Sequence, residues 1–509
     1  MALTTVQALR RLGGRPLAGA AIIVTVVVLL MYEPLKQAEG GDSAVYDYIS
    51  QSILRGRIPY RDVVDIKWPG GPYLSAFAMA VGKLVGIRDI IAVRLFQIFS
   101  CGLLSAATFL AALRLSRNRA AAMISCLVPL MNYRFAGWVV GGTQPKLMMI
   151  LFGMVSLLLV DAGEPFWSGL CSMLSCICWQ PGLLFTGVSF LVSSRYLRSW
   201  RDLRAFYVVL GSAIPLVLLF GYFLLKGSFG DFWAWTMTYN YSIFGPDAVR
   251  PLTSALSRLR NVVTKIFEGD ILVVVLAAAG FILLCVQRVR AKFTAEQPRT
   301  TREDFKDAIV IAPMVYLTFC LINFQAGPDL IPLFPFIGIF AGWLLVRIGH
   351  LASARVSRAA EASPVRWGAA AMNCIAACLL ALVLVRGGRY RLDGILLSDQ
   401  DDRMRHVSEL LGPDDKLYVH GAVEFLVLLN RPNLNPYILL DWRADEFAGR
   451  GKTEGFNQII EDMEAQKPKV VVLSRLNKLT HRKELADWAE EHYDELESEG
   501  RVKLYLRKR

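Results

Sequence analysis

Eleven apolar runs punctuate this chain, at about 17–33, 90–113, 119–133, 146–161, 166–179, 181–194, 205–225, 270–287, 308–323, 330–348 and 368–385. Most are long enough, or nearly so, to cross a hydrocarbon layer. Lipid offers no partner to a backbone N–H or C=O, so such segments satisfy themselves as helices and pack together. The expected fold is therefore an all-α polytopic membrane bundle of about eleven spans. Only 19% of the 509 residues are charged, which is low for a water-facing surface of this size, since soluble domains carry about 25%. A further run, 71–86, could either cross or lie at the interface.

Charge chooses between those two. Basic clusters lie at Arg10–Arg15, Arg114/Arg117/Arg119, Arg195/Arg198/Arg201/Arg204, Arg288–Lys306 and Arg347–Arg366. If 71–86 does not cross, all five fall on one side, as the positive-inside rule requires. This predicts an interfacial or re-entrant 71–86, a cytoplasmic N-terminus, and outside positions for loop 34–89, loop 226–269 and the tail after Arg386. The net charge of +13 is then a matter of topology and anionic headgroups, with no nucleic acid implied. No cleavable signal peptide is expected, because the basic flank of the first run is not followed by a small-residue cleavage site before Glu33-Pro34. All nine cysteines lie in apolar runs, so neither a disulfide framework nor a zinc site is expected. The cysteine-poor outside regions and compact loops suit a bacterial inner membrane.

The composition changes at about residue 398. Residues 1–397 read as the membrane domain and 398–509 as a small extracytoplasmic α/β domain. Asp402–Leu411, Thr453–Gln466 and Glu484–Glu497 have helical periodicity; Lys416–Val419, Val470–Leu473 and Val502–Leu506 read as strands. Four of the five histidines fall in this tail (His406, His420, His481, His492) without metal-ligand spacing, and no Gly-rich phosphate loop is present.

The chemistry concentrates in the loop after the first run. Asp42, Asp47, Asp62 and Asp65 alternate there with Arg55, Arg57, Arg61 and Lys67. Charged groups beside hydrocarbon are expensive, and are usually kept for catalysis, transport or binding. Ser43–Leu54 suits a short amphipathic helix with Asp42 at its start, where Asp42 could alternatively be an N-cap. A carboxylate at an interface can take a proton from a hydroxyl or bind a divalent cation. Basic groups can hold a phosphate leaving group. Tyr46, Tyr48, Tyr60 and Trp68 can stack on a sugar or an isoprenoid. This set fits transfer from a membrane-bound phosphate donor. Loop 226–269 adds Phe232, Trp233, Trp235, Tyr239, Tyr241 and Phe244, either an interfacial aromatic belt or a lid, with Asp231, Asp247 and Arg250 as polar contacts.

Gly56-Arg-Ile-Pro-Tyr-Arg-Asp62 followed by Asp65-Ile-Lys-Trp-Pro-Gly70, with Asp42 upstream, resembles the first loop of the GT-C superfamily of polytopic glycosyltransferases. It is most similar to the protein-mannosyltransferase and lipid A aminoarabinose-transferase group, whose loop runs Gly-x-x-Pro-Tyr-x-Asp and then Asp-His-Lys-Pro-Pro-Gly. The match covers about 30 residues. Weaker similarities are Trp179-Gln-Pro-Gly182, and Gln325-Ala-Gly-Pro-Asp329 followed by Pro332 and Pro335. Three positions depart from the group: Ile66 where His is common, Gln144 where a second acidic residue is common, and Gln180 where Lys is usual.

The resemblance implies an integral-membrane glycosyltransferase that moves a sugar, with inversion, from a polyprenyl-phosphate donor to an extracytoplasmic glycan, lipid or protein acceptor. Asp42, with Asp65, is implied as the catalytic carboxylate. No cofactor is required. A divalent cation is the one candidate, and Asp42 and Asp65 are its available ligands. Position adds Lys67, Lys146, Arg61 and Arg134 as donor-phosphate contacts, although Lys146 and Arg134 could instead snorkel to the interface. Tyr46, Tyr60, Trp68 and Trp233 are the candidate substrate contacts. Two other classes compete: a transporter or flippase with the same charges along a path, and a non-catalytic scaffold for envelope assembly. Transporters favour midplane charges and paired halves, neither of which the chain shows.

Overall fold

The computed structural model describes residues 15–194, 203–244, 252–294, 301–322, 324, 326–360, 364–390 and 394–508. Arg10, Arg11, Arg195, Arg198, Arg201, Asp247, Arg250 and Gln325 lie outside the described residues.

Each of the eleven apolar runs is helical. Seven helices are long and apolar enough to cross a membrane, or eight if Arg119–Met131 and Tyr133–Val140, bent by 76°, form one span. The helices Pro145–Asp161, Pro165–Cys178 and Leu183–Ser194 have 17, 14 and 12 residues and fall short of that length. The 76° bend has an identifiable cause. Pro129 interrupts the ladder in the last turn, and Asn132 restarts the helix by accepting from Phe135 N at 3.1 Å while donating to Ile266 O at 2.9 Å. Elsewhere helices approach by shedding side chains. A Cβ on Gly169 would lie 2.0 Å from Val208 O, and one on Gly211 2.0 Å from Phe166 O, so Pro165–Cys178 and Arg204–Leu225 meet backbone to backbone.

The ambiguous run forms the helix Gly70–Leu84, too short to count among the candidate spans. Its 15 residues extend about 22 Å, less than a hydrocarbon core of about 30 Å. Ser75, Ala76 and Met79 are buried against the bundle, whereas Phe77, Val81, Leu84 and Val85 form an exposed apolar face.

The first loop is largely built structure: a helical turn Pro34–Lys36, the helix Gly41–Leu54 and the helix Gly70–Leu84. Its stem is clamped by Arg94, which is fully buried. The guanidinium donates to Pro34 O (2.8 Å), Gln37 O (2.7 Å) and Ala38 O (3.3 Å), and pairs with Glu39 at 3.0 Å. A buried charge needs partners of this kind, because an unpaired one costs several kcal/mol. Loop 226–269 is also mostly helical, with Phe229–Trp233, Tyr239–Phe244 and the amphipathic helix Leu252–Ile266.

The tail carries a four-stranded sheet, β1 (Leu417–His420), β2 (Val470–Leu473), β3 (Tyr493–Glu499) and β4 (Val502–Arg507), in the order β1-β2-β4-β3. β1 and β2 are parallel, with Leu417 opposite Val470; the other pairings are antiparallel. The expected helix Glu484–Glu497 is corrected here. It spans Arg482–His492, and the chain continues as β3. The acidic stretch has helical periodicity, but pairing with the basic β4 wins: Lys503 lies 3.1 Å from Glu495, Tyr493 is buried, and Gly500 (φ +60°) makes the hairpin turn. The other tail helices, Leu397–Leu410 and Phe456–Gln466, and the three expected strands match within a few residues.

The tail rests directly on the first loop. Asn433 N donates to the Tyr48 hydroxyl (2.7 Å), Val64 N to Pro436 O (2.9 Å), and Gln51 Nε2 to Val427 O (3.2 Å). Gln400 exchanges two bonds with the Glu39 backbone, and Arg88 binds Asp401 through both oxygens at 2.7 Å.

Candidate functional site

Gly40 occupies the N-cap of Gly41–Leu54, and Asp42 sits in the first helical turn with no capping bond. Gly41 (φ +62°) gives the chain its sharp entry. A carboxylate here is favoured by the helix dipole. Asp42 and Tyr46, four residues apart, share one face. Against that face stands Lys67, whose ammonium lies 3.9 Å from Asp42 Oδ2 and donates to the Tyr46 hydroxyl.

Three side chains from three places hold the strand of loop that carries Lys67. The Tyr60 hydroxyl donates to Lys67 O at 2.6 Å, while Gln180 (3.2 Å) and Asn240 (2.7 Å) both donate to Ile66 O. Gln180, where Lys is usual in the resembling group, is thus a clamp on the loop. Asp65 turns back on itself, its Oδ1 accepting from Ile66 N at 2.7 Å.

The two carboxylates flank one cation but titrate differently. Lys67 draws the Asp42 carboxyl below its ordinary range against the opposing effect of burial, and Lys146 and Arg475 add to the pull. The Asp42 side chain is nevertheless 65% exposed, so water and a hydroxyl can reach it. Burial pushes Asp65 up to about 6, with Lys67 opposing. Two carboxylates driven apart by their surroundings are the usual basis for unlike acid–base roles.

Lys146 is buried, 2.6 Å from Asp329 and 4.8 Å above the Trp179 ring. Asp329 also accepts from Ala326 N (3.1 Å), and its carbonyl accepts from the Tyr316 hydroxyl (2.6 Å). Lys146 still acts electrostatically on Asp42. Arg61 binds Asp62 through both nitrogens at 2.8 and 2.9 Å on the loop's outer edge. Arg134 lies over Tyr133, with its centre 5.2 Å from the ring. Tyr60 and Trp68 are buried in an aromatic cluster with Phe220, Phe223 and Phe232. Trp233 is half-exposed and stacks on Phe229 at 6.1 Å. So Asp42, Tyr46, Asp65, Lys67 and Lys146 come together. No contact between Arg134 or Trp233 and the Asp42–Lys67 pair is seen among the described residues.

The tail contributes what the sequence did not single out. Arg475, just beyond β2 in a left-handed conformation (φ +58°), lies 3.5 Å from Asp441 and helps to hold Asp42 ionised. The Tyr239 hydroxyl ties this corner to the membrane side by donating to Trp442 O at 2.8 Å. Asp329 was also missed as a partner; its only signal was its place in Gly-Pro-Asp before Pro332 and Pro335. His420 is fully buried between Ser474 O (3.0 Å) and Leu440 N (3.3 Å), and burial holds it down to about 4, so it serves as a neutral tie in the sheet.

Among the described residues no group of three or more His, Cys, Asp or Glu is arranged to hold a metal ion. Asp42 and Asp65 are the two carboxylates that could face one, and the Lys67 ammonium already acts on both.

No family profile and no curated protein matches the chain. The fold, in contrast, is similar to solved structures along nearly its full length. ArnT from Cupriavidus metallidurans, bound to undecaprenyl phosphate, aligns with a TM-score of 0.59 at 15% identity over 97% of this chain and 98% of that one. The same protein in the apo state gives 0.60 at 16% identity, covering 97% of each chain. The archaeal oligosaccharyltransferase AglB from Archaeoglobus fulgidus, with an inhibitory peptide and a dolichol-phosphate, gives 0.51 at 13% identity over 96% of this chain and 74% of that one. The likeness in fold therefore covers nearly the whole chain, a bundle with several helices long and apolar enough to cross a membrane and a small C-terminal sheet.

Proposed function

We propose that this protein is an inverting glycosyltransferase that takes its sugar from a polyprenyl-phosphate carrier. The observation that carries this reading is Asp42: ionised, open to water, and held at a helix start 3.9 Å from a lysine that is itself pinned. Asp42 takes the proton of an acceptor hydroxyl. The hydroxyl oxygen attacks the anomeric carbon from the side opposite the phosphate, the bond from that carbon to the phosphate oxygen breaks, and polyprenyl phosphate leaves. Lys67 receives the charge that develops on the leaving oxygen, a form of stabilisation often worth a few kcal/mol, about 2.7–4 where one oxyanion donor is lost. Two of the like-folded structures were solved with a polyprenyl phosphate, undecaprenyl phosphate in ArnT and a dolichol-phosphate in AglB, which supports a lipid-linked donor. No nucleotide site is needed when the sugar arrives already activated.

Lys146, tied to Asp329, sets the field around Asp42 and Lys67. Arg61 and Arg134 serve the approach of the phosphate from the bilayer, and Trp233 its lipid or sugar. Tyr46, Tyr60 and Trp68 shape the pocket wall. The acceptor, a glycan, lipid or protein, enters between the first loop and the tail, where Arg475 stands. The N-terminus is inside, Gly70–Leu84 rides the outer interface, and the host membrane is a bacterial inner membrane.

The test is release of free polyprenyl phosphate by the purified protein from a panel of polyprenyl-phosphate sugars, beside Asp42→Asn. Release by the wild type alone supports the reading and names the donor. Full turnover by folded Asp42→Asn would remove Asp42 as base. No release from any donor would favour a transporter or a scaffold, which need no chemistry in detergent.

A further inference from the structure

Beyond Asp42, the helix Gly41–Leu54 carries a second carboxylate that faces inward. Asp47 is fully buried. Its Oδ1 accepts from Thr143 N at 3.2 Å and from the Thr143 hydroxyl, which also lies 2.6 Å from the Ser75 hydroxyl of Gly70–Leu84. Its Oδ2 is buried and has no hydrogen-bond partner among the described residues. Leaving such an oxygen unsatisfied costs about 1–3 kcal/mol, and more when the group is charged, so the arrangement calls for an explanation beyond simple packing.

The neighbouring backbone is fitted to this carboxylate. A Cβ on Gly142 would lie 2.8 Å from Asp47 Oδ2 and 2.9 Å from Ser43 Cβ, and Gly142 has φ +147°. Glycine lets the segment Gly141–Gln144 lie flat on the helical turn formed by Ser43 and Asp47. The turn's adjacent face carries Asp42 and Tyr46. Two residues past Thr143, Pro145 packs on Gly71, where a Cβ would come within 2.9 Å of it. Next comes Lys146, paired with Asp329 at 2.6 Å. One short segment thus joins the Asp42 helix, the Gly70–Leu84 helix and the Asp329 turn, and Asp47 is where it is fastened to the first.

We propose that Asp47 is a positioning residue: through Thr143 it fixes the Gly141–Lys146 segment against the Asp42 turn, so that Lys146 stands at the right distance from Asp42 and Lys67. This rests on the glycosyltransferase reading above. Asp47 touches no reacting atom in it and acts through the segment it holds. The groups around it fit that static role. Arg94 and Asp89 from the long helix Asp89–Ser116, and Glu39 from the loop stem, are the charged groups that act on Asp47 or are acted on by it. Burial pushes Asp47 up to about 6.

The test uses the full chain in detergent and reads kcat and KM for polyprenyl-phosphate release, with thermal stability measured alongside. Thr143→Val keeps the shape and removes the hydroxyl. It is expected to lower kcat about tenfold or more with little change in donor KM, since a small misplacement of a catalytic group can cost about a hundredfold. Thr143→Ser restores the hydroxyl and is expected to return kcat to within about threefold of wild type. Asp47→Ala is expected to lose more than Thr143→Val; should it fail to fold, the threonine pair still decides. Wild-type kcat in Thr143→Val, or a loss that Thr143→Ser does not rescue, overturns the positioning role. A loss of stability with unchanged kcat per folded molecule shows a structural tie only. No release by the wild type removes the glycosyltransferase reading itself.

Discussion

Lys67 and Asp42 come from opposite ends of one loop, and the lysine ammonium stands 3.9 Å from the Asp42 carboxylate. Lys67 also donates to the hydroxyl of Tyr46, one turn beyond Asp42 on the same helix. Lys67 is the largest cause of Asp42's lowered carboxyl. Lys67→Met is therefore expected to raise the Asp42 carboxyl toward its ordinary range and to move the acid limb of kcat to higher pH. It should also remove the charge that meets the leaving phosphate, costing about 10²–10³ in kcat. Lys67→Arg keeps the charge and should lose less. A pH–rate profile of the three proteins checks both effects.

Asp65 gives a pH signature of opposite sign. Burial raises it to about 6, so the folded protein holds this proton more tightly than the unfolded chain does. Its stabilising contribution is complete below about pH 4, the ordinary Asp value, and is lost as pH rises through about 6. Asp65→Asn, which cannot ionise, should match wild-type thermal stability at pH 4 and exceed it at pH 8 by about 1–2 kcal/mol, allowing for partial solvent screening. Melting curves at the two pH values decide. A variant less stable than wild type at pH 8 would show that the ionised carboxylate is needed by the fold.

Lys146 and Asp329 form a buried pair, and breaking one side strands the other charge. Lys146→Met or Asp329→Asn alone is expected to cost about 3–5 kcal/mol. The double variant should cost less than the sum of the two. The double-mutant cycle, followed by thermal unfolding, measures the coupling.

Gly70 closes the loop motif for a steric reason. A Cβ there would lie 2.8 Å from both the carbonyl carbon and the oxygen of Ile177, which are backbone atoms that cannot swing away. Gly70→Ala should destabilise the protein by about 1–3 kcal/mol, as overpacking does, and lower the yield of folded protein. Gly137→Ala, where a Cβ meets nothing within 4 Å, is the control and should behave as wild type.

Arg475 brings a charge of the tail to bear on Asp42. Arg475→Ala should raise the KM for acceptor about tenfold, equivalent to about 1.4 kcal/mol, and leave the donor KM unchanged. An equal rise in both constants would show that Arg475 shapes the whole pocket instead.

What could be read from the sequence was local. The helix starting at Asp42, the shared face of Asp42 and Tyr46, and the reach of Lys67 all follow from spacing within 30 residues. Every apolar run announced a helix through its composition. Long-range partners gave no such signal. Asp329 lies 183 residues from Lys146, and nothing in a Gly-Pro-Asp turn says which lysine it will meet. Trp68 and Tyr60 read as rings that can stack on a sugar or an isoprenoid, and nothing local told that they pack against Phe220, Phe223 and Phe232, rings more than 150 residues away. Glu484–Glu497 failed for a similar reason. Its last third has the charges to pair with a basic strand that follows it in the chain.

The first loop is tied down by residues far along the chain. Tyr48 receives its bond from a residue 385 positions later, Gln51 bonds one 376 positions later, and Glu39 one 361 positions later. Contacts this distant form slowly, since the closure entropy must be met before they repay it. The first loop thus gains all three ties only once the chain has been made past Asn433. A chain cut short before Gln400 would lack all three of these ties to the Asp42 helix and its stem.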